Sequence, residues 1–161
     1  MPEVVIHCSA TRPSLDIGVA EIRNWHLDRG WSDIGYHAVI RRSGRLEKGR
    51  DWQLNGAHVK GHNQGTVAIC MVGGLRPDGS AGEWTFPYGD DQAPIFTHTQ
   101  FDALAAICGL IQRSNRNIVF KGHRDYSPDL NRDGRITSNE WLKNCPCFDV
   151  SAFLRFYNIA R

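Results

Sequence analysis

Apolar runs of strand length alternate along this chain with stretches of helical spacing, and that alternation restricts the fold more than any other feature. Val4-Val5-Ile6-His7-Cys8 reads as a buried strand running into a turn at Ser9–Pro13. Val67-Ala68-Ile69-Cys70-Met71-Val72, closed by Gly73-Gly74, reads as another. Tyr36–Ile40 and Ile118–Phe120 add two more, and Ser43-Gly44-Arg45 turns the first of these into Leu46–Arg50 as a hairpin. Between the strands, Val19, Ile22, Trp25 and His26 recur at helical spacing over 19–29, with Gly30 placed to stop the helix. Thr97 with Gln100 makes a capping box ahead of Phe101, Leu104, Ala105, Cys108 and Ile111, an amphipathic helix. Val150–Tyr157 reads as a closing helix. Strands and helices interleaved in this way predict an α/β fold, helices lying on a sheet. Residues 75–96 hold three of the seven prolines and several glycines, so they are expected to form an irregular surface loop.

A chain of 161 residues buries enough surface to fold as one domain, taken here as 1–161, without crosslinks. A net charge of +2 with no basic run gives no reason to expect nucleic acid as a partner. No apolar run reaches the length of a membrane span. The start Met1–His7 has no basic segment leading into an apolar one, so the chain is expected to stay in the cytoplasm where it is made. Five cysteines, at 8, 70, 108, 145 and 147, fit free thiols plus one metal thiolate better than a disulfide framework. Alternation along the strand puts Cys8 on the face opposite His7, and Cys8, Cys70 and Cys108 are expected to pack as small hydrophobes.

Asp129–Glu140 matches a twelve-residue calcium loop. Oxygen side chains fall at positions 1, 3, 5 and 9, glycine at 6, isoleucine at 8 and a glutamate at 12. Asp129, Asn131 and Asp133 would ligate by side chain, Arg135 by its carbonyl, Thr137 directly or through water, and Glu140 bidentately. Pro128 directly precedes the loop and no helical pattern fills 122–127, so this is a single EF-hand-like loop with a structural role. A short helical stretch over 138–143 should follow it. The flanks carry a different chemistry. His123 stands before the loop and Lys143-Asn144-Cys145-Pro146 after it, and imidazole and thiolate suit a softer ion such as zinc. A catalytic zinc needs three protein ligands and one open position, for which His7, His123 and Cys145 are candidates.

His7-Cys8-Ser9-Ala10-Thr11, Gly35-Tyr36-His37, Gly56-Ala57-His58 with Gly61 and Asn63, Gly122-His123, and Lys143-Asn144-Cys145-Pro146 with Phe148-Asp149 occur in order. This set resembles the zinc-dependent N-acetylmuramoyl-L-alanine amidases of the peptidoglycan-recognition-protein type. It is most similar to the small single-domain enzymes of T-odd bacteriophages. The resemblance spans Val4 to about Phe156 and implies a central mixed sheet flanked by helices, with a zinc cleft at one edge. It puts the zinc ligands at His7, His123 and Cys145, and the catalytic pair at Tyr36 and Lys143. Cys147 matches a position that is not a ligand in the phage enzymes. His37 and His58 would belong to the groove or stand behind the ligands, and Asn63 and Arg50 would contact glycan or peptide. The implied reaction cleaves the amide between N-acetylmuramic acid and L-alanine of peptidoglycan. Zn2+ would be catalytic and Ca2+ structural. A monomeric phage endolysin, held in the host cytoplasm until released to the wall, fits best. The rival readings are a recycling amidase, a peptidoglycan-binding module without catalysis, and a calcium-responsive regulator. One departure stands out: residues 124–142 intervene where the phage relatives pass within a few residues from the histidine to the lysine and cysteine.

Overall fold

A computed structural model describes residues 3–87, 89 and 94–159. The end of the irregular loop at 75–96 therefore falls partly outside the described residues. The chain runs β1 (Glu3–Cys8), α1 (Val19–Asp28), β2 (Ala38–Ile40), β3 (Leu46–Lys48), β4 (Thr66–Met71), α2 (His98–Ser114), β5 (Val119–Gly122) and α3 (Val150–Phe156). The strands form one mixed sheet in the order β3-β2-β4-β1-β5. β1 is parallel to β4 and to β5, β2 is parallel to β4, and only the β2–β3 hairpin is antiparallel.

Alternation along the strands sorts the core into two layers. Val4, Ile6 and Cys8 of β1, with Ala38, Ile40, Ile69 and Met71, face Phe101, Leu104 and Cys108 of α2 and Phe153 and Leu154 of α3. On the other face Val39 and Cys70 pack with Val19 and Ile22 of α1 and with Ile17 just before it. α1 begins where Glu21 Oε2 accepts the Gly18 N–H (2.8 Å) and Glu47 Oε2 accepts the Val19 N–H (2.8 Å). It ends as expected at Gly30, whose φ of +82° is easy only for glycine and whose N–H reaches the Leu27 carbonyl. The capping box of α2 is also present, with Thr97 Oγ1 accepting the Gln100 N–H (3.2 Å) and Gln100 Oε1 accepting the Thr97 N–H (3.0 Å).

An aromatic cluster fixes the segment after residue 144. Phe148 is fully buried, with its ring 5.2 Å from that of Phe101 and 6.0 Å from that of Phe153. A ring buried this completely contributes about 1.5–3 kcal/mol. Backbone straps add to the hold: Trp84 N–H donates to the Cys147 carbonyl (2.8 Å) and Asn144 Nδ2 to the Gly82 carbonyl (2.8 Å). Cys145, three residues before Phe148, is therefore set by core packing.

Candidate active site

Parallel strands end on the same side of a sheet, and this brings the two histidines together. Ile6 of β1 pairs with Gly122 of β5, so His7 near the end of β1 stands beside His123, which opens a 3-10 turn just past β5. Their ring centroids are 4.8 Å apart. The third group arrives through the chain's return. Arg124 N–H donates to the Cys145 carbonyl (2.7 Å), and Cys8 N–H points at Cys145 Sγ (3.3 Å). One ligand atom each from His7, His123 and Cys145 lies within 4.8 Å of the other two. Two imidazoles and a thiol are the donor set of a catalytic zinc site, so the residues present fit that ion. Among the described residues this is the group of His, Cys, Asp and Glu side chains that gathers its ligand atoms in this way.

The surroundings suit metal binding. Burial, reinforced by the charges of His58, His123 and Lys143, holds the His7 pKa well below its usual value, so His7 stays neutral at physiological pH. Burial followed by Lys143 lowers that of His123. His58 Nδ1 lies 3.1 Å from His7 Nε2, and burial lowers the His58 pKa to about 3. Cys145 Sγ lies 3.7 Å from His7 Nδ1.

A cleft of about 380 Å³ opens beside these groups. His123, His58, Lys60 and Lys143 line it on the polar side; Trp31, Val59 and Leu142 give it apolar walls. Tyr36 packs beside His7 at 5.1 Å between ring centroids. Burial raises the Tyr36 phenol well above its usual pKa, with the nearby cysteines adding to the rise. Lys143 stands exposed on the rim.

His37, expected in the groove or behind the ligands, and Asn63 and Arg50, expected to contact substrate, all bond to backbone. His37 is fully buried, its Nδ1 accepting the Ala68 N–H (2.9 Å) and its Nε2 meeting the Leu54 carbonyl (2.9 Å). Both ring nitrogens are thus spent on the backbone where the chain enters β2 beside β4, and the ring stands 6.2 Å from that of His58. Asn63 Oδ1 accepts the N–H groups of His58 and Val59 (2.9 Å each), fixing the loop that carries His58. Arg50 donates to the carbonyls of Ile34, Asn55 and Asp33. Cys147 turns away from the ligands, its Sγ 3.7 Å from that of Cys8 in the core.

The Asp129–Glu140 segment is closed on itself. Asp129 Oδ2 accepts the Gly134 N–H (2.8 Å), Asn131 Oδ1 that of Asp133 (3.0 Å) and Asp133 Oδ1 that of Arg135 (2.8 Å). Glu140 takes the N–H groups of Leu130 and Asn131 on one oxygen and that of Thr137 on the other. Thr137 Oγ1 also donates to Glu140 (3.0 Å). Its carboxylates thus accept from the loop's own backbone donors. The helix expected over 138–143 shrinks to a 3-10 turn at Ser138–Glu140, because Glu140 is bent back to these amides. The ends of the segment are pinned near the cleft. Leu142 N–H donates to Ser127 Oγ (3.1 Å), and the Arg124 guanidinium lies 4.0 Å over the Trp141 ring while pairing with Glu83 at 2.7 Å.

Known proteins agree with this architecture. A family described as N-acetylmuramoyl-L-alanine amidase matches residues 2–146. The chain belongs to the N-acetylmuramoyl-L-alanine amidase family. The amidase is 36% identical over 148 residues to the endolysin of Klebsiella phage KP32, covering 92% of this chain and 82% of the relative. It is 33% identical over 150 residues to the endolysin of Escherichia phage T7, covering 91% and 81%. Its fold matches that of the amidase LysC from Clostridium intestinale, with a TM-score of 0.69 at 22% identity over 99% of this chain and 87% of that one. Bumblebee peptidoglycan-recognition protein SA shares the fold at a TM-score of 0.63 and 21% identity, over 94% and 79% of the two chains.

His58, expected in the groove or behind the ligands, has its Nδ1 3.1 Å from His7 Nε2, and Thr66 stands behind it where no motif marked a residue. Gly56-Ala57-His58 was visible as a motif, but nothing in its spacing says which nitrogen meets which.

Proposed function

We propose that this amidase cleaves the bond between N-acetylmuramic acid and L-alanine in peptidoglycan using a zinc ion held by His7, His123 and Cys145, as a phage endolysin. The observation that carries the reading is the convergence of those three donors at the head of the cleft. A zinc ion there supplies Lewis acidity toward the carbonyl and activation of water. The chain's own groups do the rest. Tyr36, held protonated by burial, donates to the oxygen on which negative charge develops. Lys143 on the rim adds a positive charge to the same region. Trp31 and Leu142 give the cleft apolar surface for the sugar and the stem peptide.

Among the described residues no helix is long and apolar enough to cross a membrane. Our reading is that the enzyme waits in the host cytoplasm and reaches the wall when the membrane is opened. The rival account of a binding module that does not cut is disfavoured by the intact donor set, since loss of the thiolate would remove the metal. Purified protein incubated with peptidoglycan should release new L-alanine amino termini without new reducing sugars, and a zinc chelator should stop the release. New reducing ends, or cleavage indifferent to the chelator, would overturn the assignment.

We also propose that residues 129–140 form a calcium loop tying down the insertion within a single catalytic domain. Asp129 Oδ1 is buried without a partner, and Arg132 (φ +62°) and Gly134 (φ +80°) take the left-handed conformation at positions 4 and 6. At a hundredfold excess over its dissociation constant, calcium would add about 2.7 kcal/mol, which raises the melting temperature of a domain this size by roughly 5–10 °C. EGTA should reverse the shift. If calcium moves neither melting nor activity, the segment is a turn and nothing more.

A further inference from the structure

We infer that Thr66 and His58 are positioning residues: a directed chain of hydrogen bonds from Thr66 through His58 keeps the Nδ1 of His7 free of a proton and open to a metal. The inference rests on the zinc reading given above. Its direction is set at the far end. Thr66 Oγ1 lies 2.8 Å from the His62 carbonyl and 3.1 Å from that of Asn63. Carbonyl oxygens only accept, so the single hydroxyl proton is directed to them. What the hydroxyl offers His58 Nε2, at 3.2 Å, is therefore a lone pair. His58 Nε2 must then carry the ring proton, which leaves Nδ1 of the neutral imidazole bare. That bare nitrogen sits 3.1 Å from His7 Nε2, so the His7 proton is drawn to Nε2. The free lone pair of His7 is left on Nδ1, the nitrogen that faces Cys145 Sγ at 3.7 Å.

The chain is built on rigid supports. Thr66 opens β4 in register with Glu3 of β1, and Asn63 clamps the backbone of His58 and Val59. Thr66 is 8% exposed and His7 1%, so both ends of the chain lie out of solvent. With the hydroxyl gone, His58 is free to reverse, place its proton on Nδ1 and donate it to His7. The His7 proton is then pushed onto the very atom that a metal needs. Groups that orient a metal-bound histidine in this manner are typically worth about 10–100-fold in metal affinity.

Thr66→Val keeps the shape and removes the hydroxyl, whereas Thr66→Ser keeps the hydroxyl. Two readouts apply: zinc affinity by competition with a chromophoric chelator, and ring-nitrogen NMR of the histidines in metal-free protein. The wild type should show His7 protonated on Nε2 only. Thr66→Val should weaken zinc binding about 10–100-fold and give a population of His7 protonated on Nδ1, and Thr66→Ser should restore both. Unchanged zinc affinity and tautomer in Thr66→Val would overturn the inference, as would equal weakening in the valine and serine variants. Failure of the zinc reading looks different, since the wild type itself would then take up no zinc. Even in that case the metal-free nitrogen spectrum decides, because an Nδ1-protonated His7 in the wild type contradicts the chain.

Discussion

Cys145→Ser should remove both the zinc and the turnover while leaving the fold in place. The exchange alters one atom. The Cys8 N–H that points at Sγ (3.3 Å) finds a hydroxyl oxygen instead, and the segment stays anchored by Phe148 and by the Trp84 and Asn144 straps. The ligand chemistry changes far more. A thiol loses its proton to become a soft anionic donor, whereas a serine hydroxyl remains protonated and is a poor ligand for zinc. A catalytic ion is worth several kcal/mol of transition-state charge stabilisation, and each 1.36 kcal/mol is tenfold in rate. Turnover should therefore fall by about 10³-fold or more, with one zinc per chain in the wild type and none retained by the variant after dialysis. Cys147→Ser is the matched control. Its sulfur lies in the core against Cys8, so zinc content and turnover should survive. Zinc and activity kept in Cys145→Ser but lost in Cys147→Ser would move the ligand to the other thiol and dismantle the site.

The difference between the two cysteines shows which parts of this molecule its sequence makes readable. The strands and helices were legible because burial leaves a trace: Val4–Cys8 and Val67–Val72 are apolar runs of strand length, and the Thr97/Gln100 box marks the start of α2. Boundaries drifted by a residue or two, as for Tyr36–Ile40, which narrows to Ala38–Ile40 because His37 spends its side chain on the backbone of Ala68 and Leu54. Candidate ligands were legible as residue types at strand ends, and parallel pairing supplies the physical reason that His7 and His123 meet. Contacts that depend on side-chain direction left no such trace. His37 and Asn63 are polar residues within recognisable motifs and Arg50 ends the hairpin, yet each bonds to backbone. The relation of Thr66 to His58 joins the first residue of β4 to a loop residue eight before it, where no period operates. Residues 129–140 are the converse case. Their pattern is specific, but the carboxylates can satisfy backbone amides as readily as an ion, so pattern alone does not fix their orientation.

Tyr36→Phe should preserve zinc and lose about 10²–10³-fold in kcat, the usual effect of removing one oxyanion donor. The phenylalanine ring keeps the packing against His7 (5.1 Å) and His26 (5.4 Å), so stability and metal content should hardly move. Only the hydroxyl disappears. Burial lifts its pKa well above the usual range, so that hydroxyl is expected to act as a proton donor. A donor that acts on charge present only in the transition state changes kcat and kcat/KM together while leaving KM nearly untouched. Lys143→Ala should act in the same direction but less strongly, about tenfold, because an exposed ammonium is screened by solvent. A parallel rise in KM would instead assign Tyr36 to substrate binding. Full turnover in Tyr36→Phe would remove the phenol from the mechanism altogether.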